Sequence, residues 1–157
     1  MSKQLAVERA ARAAQEFGAA TDAVDEAASV AFGVNRTDLR IVGVVHDRGP
    51  LTAGQVAAAV ELSPAAATTA IQRLVARGHL TRHVDPGDRR RAVVALTDTA
   101  TSLIDRVYGP VGEDGVAALH AWSAAELALI ADFLERGRRL QLEQAARIRA
   151  MVPQALP

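Results

Sequence analysis

The sequence predicts a mainly α-helical fold interrupted by one small β-hairpin. Two observations carry this reading. Apolar residues recur at three-four spacing through most of the 157 residues, and capping residues precede the main runs. One stretch, His79 to Thr97 (HLTRHVDPGDRRRAVVALT), instead alternates, turns at Asp85-Pro86-Gly87-Asp88 and alternates again. A third observation concerns packing. Half of the residues are hydrophobic but only 3% are aromatic, and alanine supplies much of the apolar count. Alanine buries little area, so closely packed helices, including helices of two subunits, fit better than one wide core.

Residues 3–31 read as one long helix with a mildly acidic polar face. Ala10, Ala13, Ala14, Phe17, Thr21, Val24, Ala27, Ala28 and Ala31 form its apolar face. The segment GVNRTDL breaks the pattern, with Asn35 as an N-cap and Val34 and Leu39 as a hydrophobic staple. A second helix follows to about Arg48, with Leu39, Val42 and Val45 (or Ile41) inward, and stops at Gly49-Pro50. Thr52 and Gln55 form a capping box for a short third helix, stapled by Leu51 and Val56.

Ser63 caps the next helix, and Pro64 takes its first position, where no N–H is needed. This helix reaches Arg77 with Ala66 or Ala67, Ala70, Ile71, Leu74 and Val75 inward, and Gly78 closes it. Two short capped helices joined by a tight turn make a helix-turn-helix. In the hairpin, Leu80, Arg82 and Val84 alternate with Thr81 and His83. On the return, Ala92, Val94 and Leu96 alternate with Val93 and Ala95. Thr97 or Asp98 caps a further helix through Leu103, Ile104 and Val107, and Gly109-Pro110 with Gly112 predicts a kink or break in it. Ser123 and Glu126 box the last helix, with Trp122 and Leu127 as staple. Its face continues through Ile130, Leu134, Gly137, Gln141, Ala145 and Ile148.

Composition narrows the function classes. The chain has no cysteine, which removes disulfides, thiol redox sensing and cysteine zinc sites and fits a reducing cytosol. The N-terminus is charged every few residues, and no apolar run approaches the roughly 20 residues of a membrane span. We therefore expect a soluble, cytoplasmic protein without a membrane partner. His46, His79, His83 and His120 lack metal-ligand spacing, and no metal or cofactor is expected. No Gly-rich phosphate loop, nucleophile elbow or plausible carboxylate pair suggests an enzyme.

Net charge is zero, but its distribution is uneven. Residues 63–91 hold six arginines against Asp85 and Asp88, a net of +4, while residues 1–31 and 92–157 are mildly acidic. A local basic surplus is the footprint of polyanion binding, although a solvated charged face would look the same. A helix-turn-helix followed at once by a hairpin is the layout of a winged helix. There the second short helix enters the major groove and the hairpin reaches the neighbouring backbone or minor groove. Ser63, Pro64, Ala65, Thr68 and Thr69 give that helix the small N-terminal end that close approach to DNA needs. Arg89, Arg90 and Arg91 stand at the hairpin tip, where guanidinium groups suit phosphates and a narrow minor groove.

The run from Arg73 through Leu74, Gly78, Leu80 and Arg82, followed by Asp85-Pro86-Gly87-Asp88-Arg89-Arg90 and Leu96-Thr97, resembles the signature of the MarR family of transcriptional regulators. The resemblance in motif covers about Ser63 to Thr97. It implies a homodimer on a pseudo-palindromic operator in double-stranded DNA, with repression as the default by analogy. Residues 1–157 would form a single domain, with 32–98 as the winged lobe and 1–31 and 99–157 as dimerisation helices. By the same resemblance Ser63, Thr68 and Arg73 face DNA, Arg89 and Arg90 lie on the wing, and Asp88 holds a wing arginine by a salt bridge. Position 66 is alanine where a hydroxyl is common, position 69 is threonine where arginine is frequent, and His79 replaces the usual leucine. These departures shift weight from base contacts toward the wing and indirect readout. Many members bind a small aromatic or phenolic effector, for which Phe17, Phe32, His46 and Tyr108 are candidate lining residues, each equally placed to be core. The alternative is a winged helix used for protein contact, which the arginine tip disfavours.

Overall fold

The structure, a computed structural model, describes residues 2–84, 87 and 91–151. Two compact units divide the chain, Met1–Gly109 and Pro110–Pro157.

The first unit begins with α1 (Lys3–Phe32), opened by Ser2, whose Oγ accepts from the Leu5 N–H. It ends where Gly33 adopts φ +63°, the left-handed conformation a Cβ would strain. The N–H groups of Gly33 and Val34 then close on the carbonyls of Val30 and Ser29. The helix spans what its periodicity predicts, but its apolar face is covered only at the C-terminal end, at Ala28, Ser29 and Phe32. Phe17 is 68% exposed.

The remaining elements of this unit follow the predicted order. They are α2 (Arg36–Arg48), β1 (Leu51–Thr52), α3 (Ala53–Val60), α4 (Pro64–Ala76), β2 (Leu80–Val84), β3 (Ala92–Leu96) and the start of α5 (Asp98–Leu119). Asn35 caps α2 by accepting from the Asp38 N–H, and Thr52 and Gln55 close a complete capping box on α3. Glu61, with φ +57°, turns the chain between α3 and α4. Gly78, with φ +75°, releases α4 directly into β2.

Leucine, isoleucine and valine side chains from all these elements meet in one core. Ile41 and Val42 of α2, Val56 and Val60 of α3, Ile71 and Leu74 of α4, Leu80 of β2 and Val94 of β3 are nearly inaccessible. Truncating one of the leucines or isoleucines among them to alanine should cost about 2–5 kcal/mol, the transfer energy plus the cavity left behind.

The sheet has three strands in the order β1-β3-β2, all antiparallel. Sequence alone predicts two of them. Leu51–Thr52 reads as a staple and a cap, yet it also pairs in register with Val94 and Val93. Two residues carry no measurable alternation, so only the arrival of β3 makes them a strand.

Thr97 caps α5, its Oγ1 accepting from the Ala100 N–H. The kink or break anticipated at Gly109-Pro110 is not a break, because α5 continues as helix to Leu119 with Pro110 inside it. Much of the usual restriction before proline is a clash with the preceding Cβ, and Gly109 has none.

The second unit holds the rest of α5 and α6 (Ala124–Met151). Ser123 and Glu126 form the predicted box, the Ser123 N–H donating to Oε2 at 2.8 Å and the Glu126 N–H to Ser123 Oγ at 3.4 Å. Those bonds from the Ser123 side chain and backbone hold the Glu126 carboxyl below the usual carboxylate range. No α6 residue is buried, and Leu129, Phe133, Leu134, Leu140, Leu142 and Ile148 are all more than half exposed.

Candidate nucleic-acid interface

The helix-turn-helix offers one face of α4 to solvent. Ala67, Ala70, Ile71 and Leu74 point into the core, which leaves Ala65, Ala66, Thr69, Gln72 and Ala76 outside. Ser63 caps the exposed start, its Oγ accepting from the Ala66 N–H at 3.2 Å. Thr68 and Thr69 donate their hydroxyl hydrogens to the carbonyls of Pro64 (2.8 Å) and Ala65 (3.0 Å). In that state each oxygen is left with acceptor capacity, which suits a donor such as a base amino group better than a phosphate. Gln72, on the same stripe, was not singled out by the sequence, although its amide suits adenine.

Arg73 sits otherwise than a free surface arginine. Its Nε donates to Asp38 Oδ2 at 3.1 Å and its Nη2 to Oδ1 at 2.7 Å. Asp38 is fully buried while the arginine side chain remains 41% exposed. That fork raises Arg73 above its already high ordinary value and ties α4 to the first turn of α2. Sequence reasoning missed Asp38. A signal existed, since Asp38 lies four and seven residues before Val42 and Val45, on the inward face of α2.

Around this pair runs an open groove of about 580 Å³, lined by Asn35, Arg36, Thr37, Leu62, Ala66, Thr69, Ala70 and Arg73. Arg36 was also missed. Its Nη2 contacts Asp22 Oδ1 at 2.7 Å and Asp25 Oδ2 at 3.9 Å, and its Nη1 donates weakly to the Asp22 carbonyl.

The hairpin leaves the core as it lengthens. Leu80 pairs with Leu96 at the buried end, while Val84, paired with Ala92 at the other end, is 61% exposed. Arg91 precedes β3 and is exposed. Asp88, Arg89 and Arg90 lie outside the described residues. At the base of the strands His79 Nε2 lies 2.8 Å from the Phe32 carbonyl oxygen, with the two rings 5.7 Å apart. The histidine thus joins the end of α1 to the start of β2, a bond leucine does not make.

Of the candidate effector-lining residues, His46 and Tyr108 meet at one cavity of about 290 Å³, with Leu39, Val42 and Ile104. Phe17 and Phe32 do not line it. Tyr108 donates to Asp25 Oδ1 at 3.2 Å, and burial, then the Asp25 charge, pushes its hydroxyl above the ordinary tyrosine value. Among the described residues no His, Cys, Asp and Glu cluster suits a metal, and no helix is long and apolar enough to cross a membrane.

Comparison with known proteins agrees with this architecture. Residues 32–91 match the family model described as MarR family. The chain is 28% identical over 135 residues to the uncharacterized HTH-type transcriptional regulator YcgE of Bacillus subtilis, covering 86% of this chain and 88% of that one. It is 30% identical over 105 residues to a second such regulator of that organism, YkoM, covering 65% and 68%. Its fold is similar to the crystal structure of YusO, also from Bacillus subtilis, with a TM-score of 0.64 at 18% identity over 88% of this chain and 99% of the other. With a helix-turn-helix, a strand pair behind it and these relatives in agreement, the chain belongs to the MarR family of DNA-binding transcriptional regulators.

Proposed function

We propose that this protein is a homodimeric repressor that sets α4 of each copy into the major groove of a pseudo-palindromic operator. The observation that carries the reading is the exposed small-residue face of α4. Ser63, Ala65, Thr68 and Thr69 offer little bulk, and the helix behind them is anchored by its core residues and by the Arg73–Asp38 fork. Residues 32–98 act as the DNA-binding lobe, with Arg89, Arg90 and Arg91 as its wing arm and Asp88 orienting one of those arginines. Residues 1–31 and 99–157 act in dimerisation, a role supported by their uncovered apolar side chains. The protein works in the cytoplasm without a cofactor, and a small aromatic effector in the cavity beside His46 and Tyr108 releases it from DNA.

Selection of genomic fragments by the purified protein tests this reading. Recovery of an inverted repeat is the expected result. Featureless recovery would overturn specific operator binding.

A further inference from the structure

We propose that the groove between α2 and α4 is a subsite for a DNA backbone phosphate, and that Arg36 is its movable cation, held in reserve by Asp22 and Asp25 of α1. The inference rests on the DNA-binding reading of α4 and adds a contact outside both that helix and the wing. The groove adjoins the exposed face of α4, since Ala66 and Thr69 belong to both. A helix lying in the major groove has a phosphate backbone along each flank, so a concave surface beside it faces phosphates rather than base edges.

Two guanidinium groups line this groove, Arg36 and Arg73. Their engagements differ. Arg73 is locked by the two-bond fork to a fully buried carboxylate, and breaking it would strand that charge. Its outer edge can add a hydrogen bond but the side chain has no freedom to travel. Arg36 is tied to partners that are themselves exposed, Asp22 at 71% and Asp25 at 43%, and its own side chain is 47% exposed. An ion pair of that kind is worth little in water, so a backbone phosphodiester, whose single charge is shared by two non-bridging oxygens that match the guanidinium fork, can compete for it. Thr37, Leu62 and Ala70 line the same groove. In the free protein, then, the acids of α1 occupy the cation that DNA would use. Part of the affinity is spent on releasing it.

The test measures DNA affinity against salt for the full-length protein with Arg36→Gln, Asp22→Asn and the two combined. Arg36→Gln should weaken binding to every sequence alike and flatten the slope of log affinity against log salt by about 0.9 per copy of the chain. Asp22→Asn should tighten binding, and this gain should vanish when Arg36 is already glutamine. Persistence of the gain in the double variant would mean that Asp22 acts only through long-range charge, and would overturn the reserve role. An Arg36→Gln protein that melts lower but keeps the parental salt slope would show a structural α1–α2 tie and overturn the phosphate subsite. If the parent binds no DNA at any salt, the DNA-binding reading fails and takes this inference with it. A binding parent with an unchanged variant sinks the inference alone.

Discussion

Arg73 reaches across from α4 to Asp38 and grips both carboxylate oxygens, at 3.1 and 2.7 Å. Asp38 lies on the inward face of α2 with no exposed surface, so the arginine is its counter-charge as well as an anchor of α4. The orientation of α4 is therefore set partly by a polar pair behind it, and not by apolar packing alone.

Removing Arg73 should accordingly damage the fold before it damages recognition. Arg73→Met leaves the Asp38 carboxylate buried and uncompensated, and the melting temperature should fall by roughly 5–10 °C. The double variant Asp38→Leu/Arg73→Met should recover most of that loss, because a buried ion pair is often replaceable by apolar groups of similar volume. Thermal melts of the three proteins decide the matter. If the stable double variant also loses roughly tenfold or more in preference at one operator position, Arg73 reads a base as well.

The proposed wing role of Arg89 and Arg90 has a separate electrostatic test. Replacing Arg89 and Arg90 by alanine removes two charges from each copy. For a dimer the salt slope of operator binding should flatten by roughly 3–4, or by about 2 if one arginine per wing is structural. Asp88→Ala is the control. Weaker binding after loss of that negative charge indicates an orienting role, whereas tighter binding contradicts it.

Assembly is open to point substitutions that spare the folded lobe. Phe17 and Phe133 are 68% and 55% exposed, so replacing both by glutamate removes no buried contact within one copy. Sedimentation of the parent at micromolar concentration should show a dimer, and the double variant should move toward monomer while keeping its helical circular dichroism. A folded parental monomer would refute the dimer.

Tyr108 is the chain's single tyrosine, so near-ultraviolet phenolate absorbance reports it alone. Burial first, and the Asp25 charge second, raise its ionisation above the ordinary value of about 10. A raised value means that the unfolded chain releases this proton first. The stabilisation is therefore complete below about pH 10 and declines as pH climbs through the folded value. Asp25→Asn should bring the titration back only part of the way, because the larger cause is burial. A full return to the free-tyrosine midpoint would reverse that order.

Features that act over three or four residues were legible in the amino-acid sequence by itself. The caps at Asn35, Thr52, Ser63 and Ser123 and the three-four periodicity of the helices all appear where the pattern puts them. So do the two strands of the hairpin, Leu80–Val84 and Ala92–Leu96, whose register the structure supplies. Such signals are local because a cap or a turn is satisfied by its own neighbours. The family signature around the hairpin was equally readable, and with it the basic stretch. Tertiary structure alone decided the rest. Asp38 meets Arg73 across 35 positions and Tyr108 meets Asp25 across 83, separations at which no periodicity links one residue to the other. Leu51 becomes a strand residue only when Val94 arrives beside it. Periodicity finds an apolar face but not what covers it, and Phe17 and Leu134, on faces that the sequence assigns to dimerisation helices, are more than half exposed within one chain. The same blindness hid Arg36, whose place in the groove depends on three helices packing around one side chain.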